Sequence, residues 1–349
     1  MAFDTQNGTG DEIACVKFLA DSLGAHKPDG LIVETAPRSR GKDDSGYVLA
    51  SWGQPQVLLN VHIDTVPAAS GWKTDPHTLT RVGDNLIGLG SSDIKGAAAC
   101  ILAGLEAVTP KNVAILFSGD EELGSEIMPQ VIARGHYGNA PLAIVCEPTS
   151  CKVGRRHRGM LAFSAEFSGI GGHSSLADHT EAPLLMASRL AAAVGDYGAQ
   201  HLDFGEDPYK GLCTNIGKIE SDGAYNVIPT QVKLDFSMRP PPGDDVGARE
   251  TDIRAIHAEL CPESPLDTLV ALQPFASHNV AAFTPYTQDT EVVDLPYWTE
   301  AAMLSQAGLN VIVYGPGDVD QAHKPNECVS VGHLSDAIKV YKRALSGGT

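Results

Sequence analysis

Three apolar runs in this 349-residue chain end in an imidazole or a carboxylate, and a fourth leads towards a histidine. Val57-Leu-Leu-Asn-Val-His62-Ile-Asp64 sets His62 and Asp64 two apart, so both side chains point to one face of an extended segment. Val113–Ser118 runs through Gly-Asp into the adjacent carboxylates Glu121 and Glu122, and Leu142-Ala-Ile-Val-Cys runs into Glu147. Val311-Ile-Val-Tyr-Gly precedes His323, and Asp93 opens an Ala-rich helix after a Gly-rich turn. These are potential metal ligands. Each alone has a plain structural reading: a hydrogen-bonded strand-end histidine, a solvated Glu-Glu pair, an aspartate capping its helix. Together they become a signal once the elements bring them to one place.

Those elements alternate. Helical spacing over Asp11–Leu23, a strand at Val57–Ile63, a buried helix at Ile94–Val108 and strands at Val113–Phe117 and Leu142–Cys146 predict βαβ units. A mostly parallel sheet follows, and its strands' carboxyl ends lie along one edge, where ligands bind. The pattern changes near Arg155. A strand at Met160–Phe167, a helix at Pro183–Val194, strands at Cys213–Ile219 and Thr230–Ser237 and a helix at Arg249–Leu260 predict an α+β unit with an antiparallel sheet. After Pro262–Pro265 the first style returns, with a strand at Asn310–Tyr314 and a final helix from about Ser330. The expected fold is therefore α/β, with a larger domain over 1–154 and 267–349 and a smaller domain inserted over 155–266.

Composition narrows the partners. With 43 acidic against 25 basic residues the formal charge is −18, which argues against nucleic acid or an anionic membrane surface. Seven cysteines without a CxxC pair fit free thiols in a reducing compartment. No 18-residue apolar run occurs, and the first residues form neither a basic nor an apolar region, so a soluble cytoplasmic protein is expected. No Gly-x-Ser-x-Gly elbow or Walker loop is present, and Gly88-Leu-Gly-Ser-Ser-Asp and Gly315-Pro-Gly-Asp-Val-Asp lack the third glycine of a dinucleotide fingerprint.

The ordered set resembles the M20 family of dinuclear zinc peptidases and deacylases, its acetylornithine deacetylase-like branch above all. Asn60-Val-His62-Ile-Asp64-Thr-Val-Pro, Gly90-Ser-Ser-Asp93-Ile-Lys-Gly, Ser118-Gly-Asp-Glu121-Glu122-Leu-Gly and Cys146-Glu147-Pro-Thr match in order. Gly172-His173-Ser-Ser, Asn226-Val-Ile-Pro, Met238-Arg239-Pro and Ala322-His323-Lys-Pro-Asn carry the match through nearly the whole chain. The resemblance implies a zinc-hydrolase catalytic domain with a lid and dimerisation domain, acting as a homodimer on a small-molecule N-acyl amino acid. It implies that Asp93 bridges two Zn2+ ions (Co2+ or Mn2+ as substitutes), with His62 and Glu147 completing one site and Glu122 and His323 the other. Glu121 is then the general base, Asp64 orients His62, and the lid's His173 stabilises the oxyanion. Arg239 and Asn226 match positions that hold the substrate carboxylate.

For the substrate, Thr299-Glu300-Ala-Ala is similar to the Thr-Glu-Ala element of acetylornithine and acetylcitrulline deacetylases, so Thr299 and Glu300 are expected at the substrate. N2-acetyl-L-ornithine, an arginine-biosynthesis intermediate, is the first choice. Acetylcitrulline or another N-acyl amino acid, succinyl-diaminopimelate and dipeptides are the alternatives. Family members carry a helix before the segment matching Phe3–Asn7, at which this chain almost starts. That departure is expected to affect N-terminal packing and not the metal site.

Overall fold

The computed structural model describes residues 3–37, 44–177 and 182–348. The chain forms two compact units, one of Met1–Arg155, Ser277–Leu295 and Thr299–Thr349, the other of Arg156–Ala276 and Pro296–Trp298.

In the first unit the strands Val113–Ser118, Val57–His62, Leu142–Val145 and Asn310–Val313 lie side by side and parallel. Every residue of Val57–His62 and Val113–Ser118 is buried, which is why these strands read as unbroken apolar runs without alternation. Register brings their ends level: His62 stands opposite Ser118, Asn60 opposite Val145, and Val313 opposite Val145. The residues that follow each strand therefore leave from one edge. Two further strands, Gly30–Ala36 and Ser45–Trp52, join antiparallel beyond Val113–Ser118. Neither was expected, because Gly, Ser and Ala dilute their apolar pattern. Helix Lys95–Ala107 packs on the C-terminal helix Val331–Leu345, whose Ser330 hydroxyl caps it by accepting from His333 N–H at 3.0 Å.

In the second unit four antiparallel strands follow the order Cys213–Ser221, Gln231–Arg239, Met160–Ser168, Leu266–Leu272. Alternate residues of Gln231–Arg239 are buried, and helices Pro183–Gln200 and Val246–Leu260 supply the cover, with Phe163 and Phe236 stacked in the core. The return to the first unit falls at 276/277 and not at 266/267. Pro262–Pro265 is only a turn, after which Leu266–Leu272 adds to Met160–Ser168 as an edge strand. Among the described residues no helix is long and apolar enough to cross a membrane.

Candidate active site

Five side chains from five separate segments meet at the common strand edge of the first unit. His62 is the last residue of its strand, Glu147 lies two residues beyond Leu142–Val145, and Glu122 sits in a short helical turn just beyond Ser118. Asp93 is two residues ahead of helix Lys95–Ala107, and His323 is carried by the loop after Asn310–Val313. Asp93 stands between the two imidazoles. Its Oδ1 is 3.1 Å from His62 Nε2, and its Oδ2 is 3.4 Å from His323 Nε2. His62 Nε2 is also 3.5 Å from Glu147 Oε1, while His323 Nε2 is 3.1 Å from Glu122 Oε1. Each oxygen of Asp93 thus belongs to its own His-carboxylate pair. The two halves are close: His62, Asp93 and Glu122 offer donor atoms all within 4.8 Å of one another.

The electrostatics fit a cationic occupant. Burial and repulsion from Asp93 push Glu122 up to about 7, and burial raises Glu147 against the pull of His62. Burial also pushes Glu121 well up, with Glu147, Glu122 and Glu300 adding repulsion that His62 does not offset. Hydrogen bonds that His323 donates to the carboxylates of Asp93 and Glu122 lift it to about 10. Carboxylates crowded enough to hold protons are relieved by divalent ions, and imidazole nitrogen with carboxylate oxygen is a donor set that zinc accepts.

Asp64 ties the halves together. It is fully buried, and its Oδ1 lies 3.3 Å from His62 Nδ1. The same carboxylate accepts from the backbone N–H groups of Glu121 and Glu122, each at 3.0 Å, and from Asn7 Nδ2 at 3.1 Å. Burial opposes its ionisation, yet the bonds from His62, Asn7 and Glu121 hold it below the usual carboxylate range. One anion therefore fixes both the His62 ring and the turn carrying Glu121 and Glu122. Through Asn7 the N-terminal segment reaches the site. Thr5 Oγ1 donates to Ile63 O at 2.7 Å, and Asn7 N–H donates to Thr65 O at 2.9 Å, so the segment is laced to the loop after His62.

The proposed substrate residues separate. Thr299 and Glu300 do not present their side chains to solvent: Glu300 is 1% exposed. Its carboxylate accepts from Ser118 Oγ and Ser125 Oγ, both at 3.1 Å, which are the two residues flanking the Glu121-Glu122 turn. Thr299 Oγ1 accepts from Ala301 N–H at 3.2 Å at the start of its helix. Both are internal supports, and Glu300 braces the turn from behind. His173, Asn226 and Arg239 lie in the second unit, all exposed. The structure joins the first two, since Gly172–His173 pairs with Val227–Ile228 and Ser174 N–H donates to Asn226 O. His173 Nδ1 accepts from Ser175 N–H at 3.2 Å, which leaves the ring proton on Nε2, the form that donates to an anion. Arg239 ends its strand opposite Cys213, and its guanidinium has no acidic partner among the described residues.

Residues 58–347 match the sequence model of peptidase family M20/M25/M40. The chain belongs to this family. Its members are metallo-hydrolases, and among its relatives is an N-acetyl-L-citrulline deacetylase of Xanthomonas campestris, 33% identical over 99% of this chain and 95% of that one. An acetylornithine deacetylase of Aliivibrio fischeri is 29% identical over 90% of this chain and 87% of its own. In structure, an M20 metallo-carboxypeptidase from Sulfolobus solfataricus superposes with a TM-score of 0.78 at 15% identity, covering 99% of this chain and 96% of that chain. M20 hydrolases depend on a dinuclear metal centre. This M20 chain also holds a buried carboxylate that the sequence reading passed over. Glu327 is four residues after His323, 2% exposed, and accepts from three backbone N–H groups around Asp93. No spacing marks such a residue, because its partners are amides and not side chains.

Proposed function

We propose that this M20 hydrolase removes the acetyl group from N-acetyl-L-amino acids at a centre held by His62, Asp93, Glu122, Glu147 and His323. The observation that carries the reading is the two-sided placement of Asp93, one oxygen to each His-carboxylate pair. Two divalent ions, zinc first, would supply Lewis-acid polarisation of the amide carbonyl and a more acidic water. Glu121, whose backbone is gripped by Asp64, takes a proton from the water nucleophile on its carboxylate and returns it to the leaving amine nitrogen. Asp64 keeps the His62 ring oriented, and His173 donates from Nε2 to the oxyanion. Arg239, without an acidic partner among the described residues, suits a bidentate grip on the substrate α-carboxylate, with Asn226 beside His173 as a second donor. The products are acetate and the free amino acid.

The Thr-Glu-Ala element fits acetylcitrulline and N2-acetyl-L-ornithine, the first choice within arginine biosynthesis, alike, and relatives named for each support both. A panel of acetylcitrulline, N2-acetyl-L-ornithine, other N-acetyl amino acids, succinyl-diaminopimelate and dipeptides, assayed for kcat/KM, separates them. The acetylated amino acids are expected to lead by more than about tenfold, because a pocket discriminates related substrates by that order. A dipeptide in first place would overturn the acyl assignment and leave the hydrolase standing. All seven cysteines are free thiols, which supports a reducing, cytoplasmic setting.

We also read the protein as a homodimer joined through the second unit. Cys213–Ser221 is an edge strand with seven consecutive exposed residues from Asn215 to Ser221, Ile216 and Ile219 among them. An open edge bearing apolar side chains is a template for another strand. Sedimentation is expected to give a dimer that Ile216→Lys with Ile219→Lys converts to monomer. A monomeric unmodified protein at micromolar concentration would overturn the assignment.

A further inference from the structure

We propose that Glu327 is a positioning residue that sets the distance between Asp93 and His323, and through it the affinity of the metal centre. The inference rests on the ligand reading given above. Asp93 and His323 are 230 residues apart in the chain, so something must hold their loops in register. Strand Cys328–Ser330 pairs antiparallel with Asn85–Ile87, Cys328 opposite Ile87. The pairing continues one step outward, where Gly88 N–H donates to Glu327 O at 3.0 Å. There the ladder ends, and the Glu327 side chain takes over. Its Oε2 accepts from Gly90 N–H at 2.8 Å, and its Oε1 accepts from Ser92 N–H at 2.8 Å and Asp93 N–H at 2.9 Å.

A second clasp lies on the other side of His323. Ser92 Oγ accepts from Asp318 N–H at 2.8 Å and donates to Asp318 O at 3.1 Å. The approach is so close that a Cβ on Gly317, whose φ is +88°, would fall 2.2 Å from Ser92 Oγ. The segment 318–327 that carries His323 is thus fastened to the Asp93 loop at both ends. Of the two clasps, Glu327 bears the greater share. It is buried and accepts from three backbone amides, that of Asp93 among them, and amides left without an acceptor in a buried site are costly. A carboxylate that holds ligand loops without touching the metal acts as an outer partner, and loss of such partners weakens metal binding about 10–100-fold.

The test is metal affinity of the full chain, stripped by chelator and titrated with Zn2+, beside the visible spectrum of the Co2+-loaded protein and the thermal midpoint of the stripped protein. Unmodified protein is expected to bind two ions; if it binds none, the ligand reading itself fails and this inference with it. Given two ions, Glu327→Gln is expected to weaken binding about 10–100-fold and to alter the Co2+ spectrum, with the stripped midpoint little changed. Glutamine keeps the size, but its NH2 meets an amide donor where an oxygen stood. Unchanged affinity and spectrum would overturn the proposal, whether or not the midpoint falls, since a merely structural residue moves the midpoint alone. Should Glu327→Gln fail to fold, Glu327→Asp keeps the charge, draws it back by one methylene and carries the same readouts: weakened binding supports the proposal and affinity equal to the unmodified protein overturns it.

Discussion

Replacing Glu121 with glutamine is expected to lower kcat by about 10²–10⁴ while both metal ions stay bound, the usual worth of a positioned general base. Glutamine has the size of glutamate and no basicity, and the Asp64 grip on residue 121 is through the backbone N–H, which the substitution leaves alone. Stability is not expected to fall. The Glu121 carboxylate is crowded by Glu147, Glu122 and Glu300, and a neutral amide removes that repulsion. The measurements are steady-state kinetics and metal content per chain. Near-normal turnover, or turnover lost together with the metal, would remove Glu121 from the base role. The adjacent residue offers the contrast: Glu122 faces His323 at 3.1 Å, so its glutamine variant belongs with the metal-binding losses.

The two neighbours differ because of the turn that carries them, and that turn explains what could be read in advance. A strand buried on both faces must be apolar throughout, so a histidine or glutamate at its end stands out against the run. His62, Glu122 and Glu147 were legible for that reason, and Asp93 and His323 were legible once the motifs ordered them. Glu300 was legible as a position but not by its internal partners. Its motif neighbours suggested substrate, whereas the fold turns it inward to Ser118 and Ser125. Asn7 belongs to no ligand pattern in the sequence, and only the fold brings it to Asp64, 57 residues on. Glu327 gave no signal of any kind. Buried acids that bond to backbone amides have no characteristic spacing, since any residue supplies an N–H. The same physics hid the true end of the inserted unit: Pro262–Pro265 resembles a domain boundary, but the alternating strand Leu266–Leu272 still needs the antiparallel sheet to bury one face.

Asp93→Asn is expected to have the largest effect on the centre as a whole, dropping metal content from two ions to fewer than one per chain and kcat/KM by at least about 10³. The magnitude follows from what is lost, because Lewis-acid stabilisation is worth several kcal/mol and each 1.36 kcal/mol is tenfold in rate. The substitution is nearly isosteric, and the Asp93 backbone N–H keeps its bond to Glu327. What changes is charge and donor type on the one residue that faces both halves: one of its two oxygens becomes an NH2, and that NH2 turns either to the His62 side or to the His323 side. Loss of His323 alone removes a donor from one half. Its variant is accordingly expected to keep one ion at the His62–Glu147 side, and the Asp93 variant neither at full affinity. Metal analysis and zinc titration of the two variants decide the matter. Two ions retained in Asp93→Asn would mean that the halves are not joined through this carboxylate, and the two-sided reading of the site would fall.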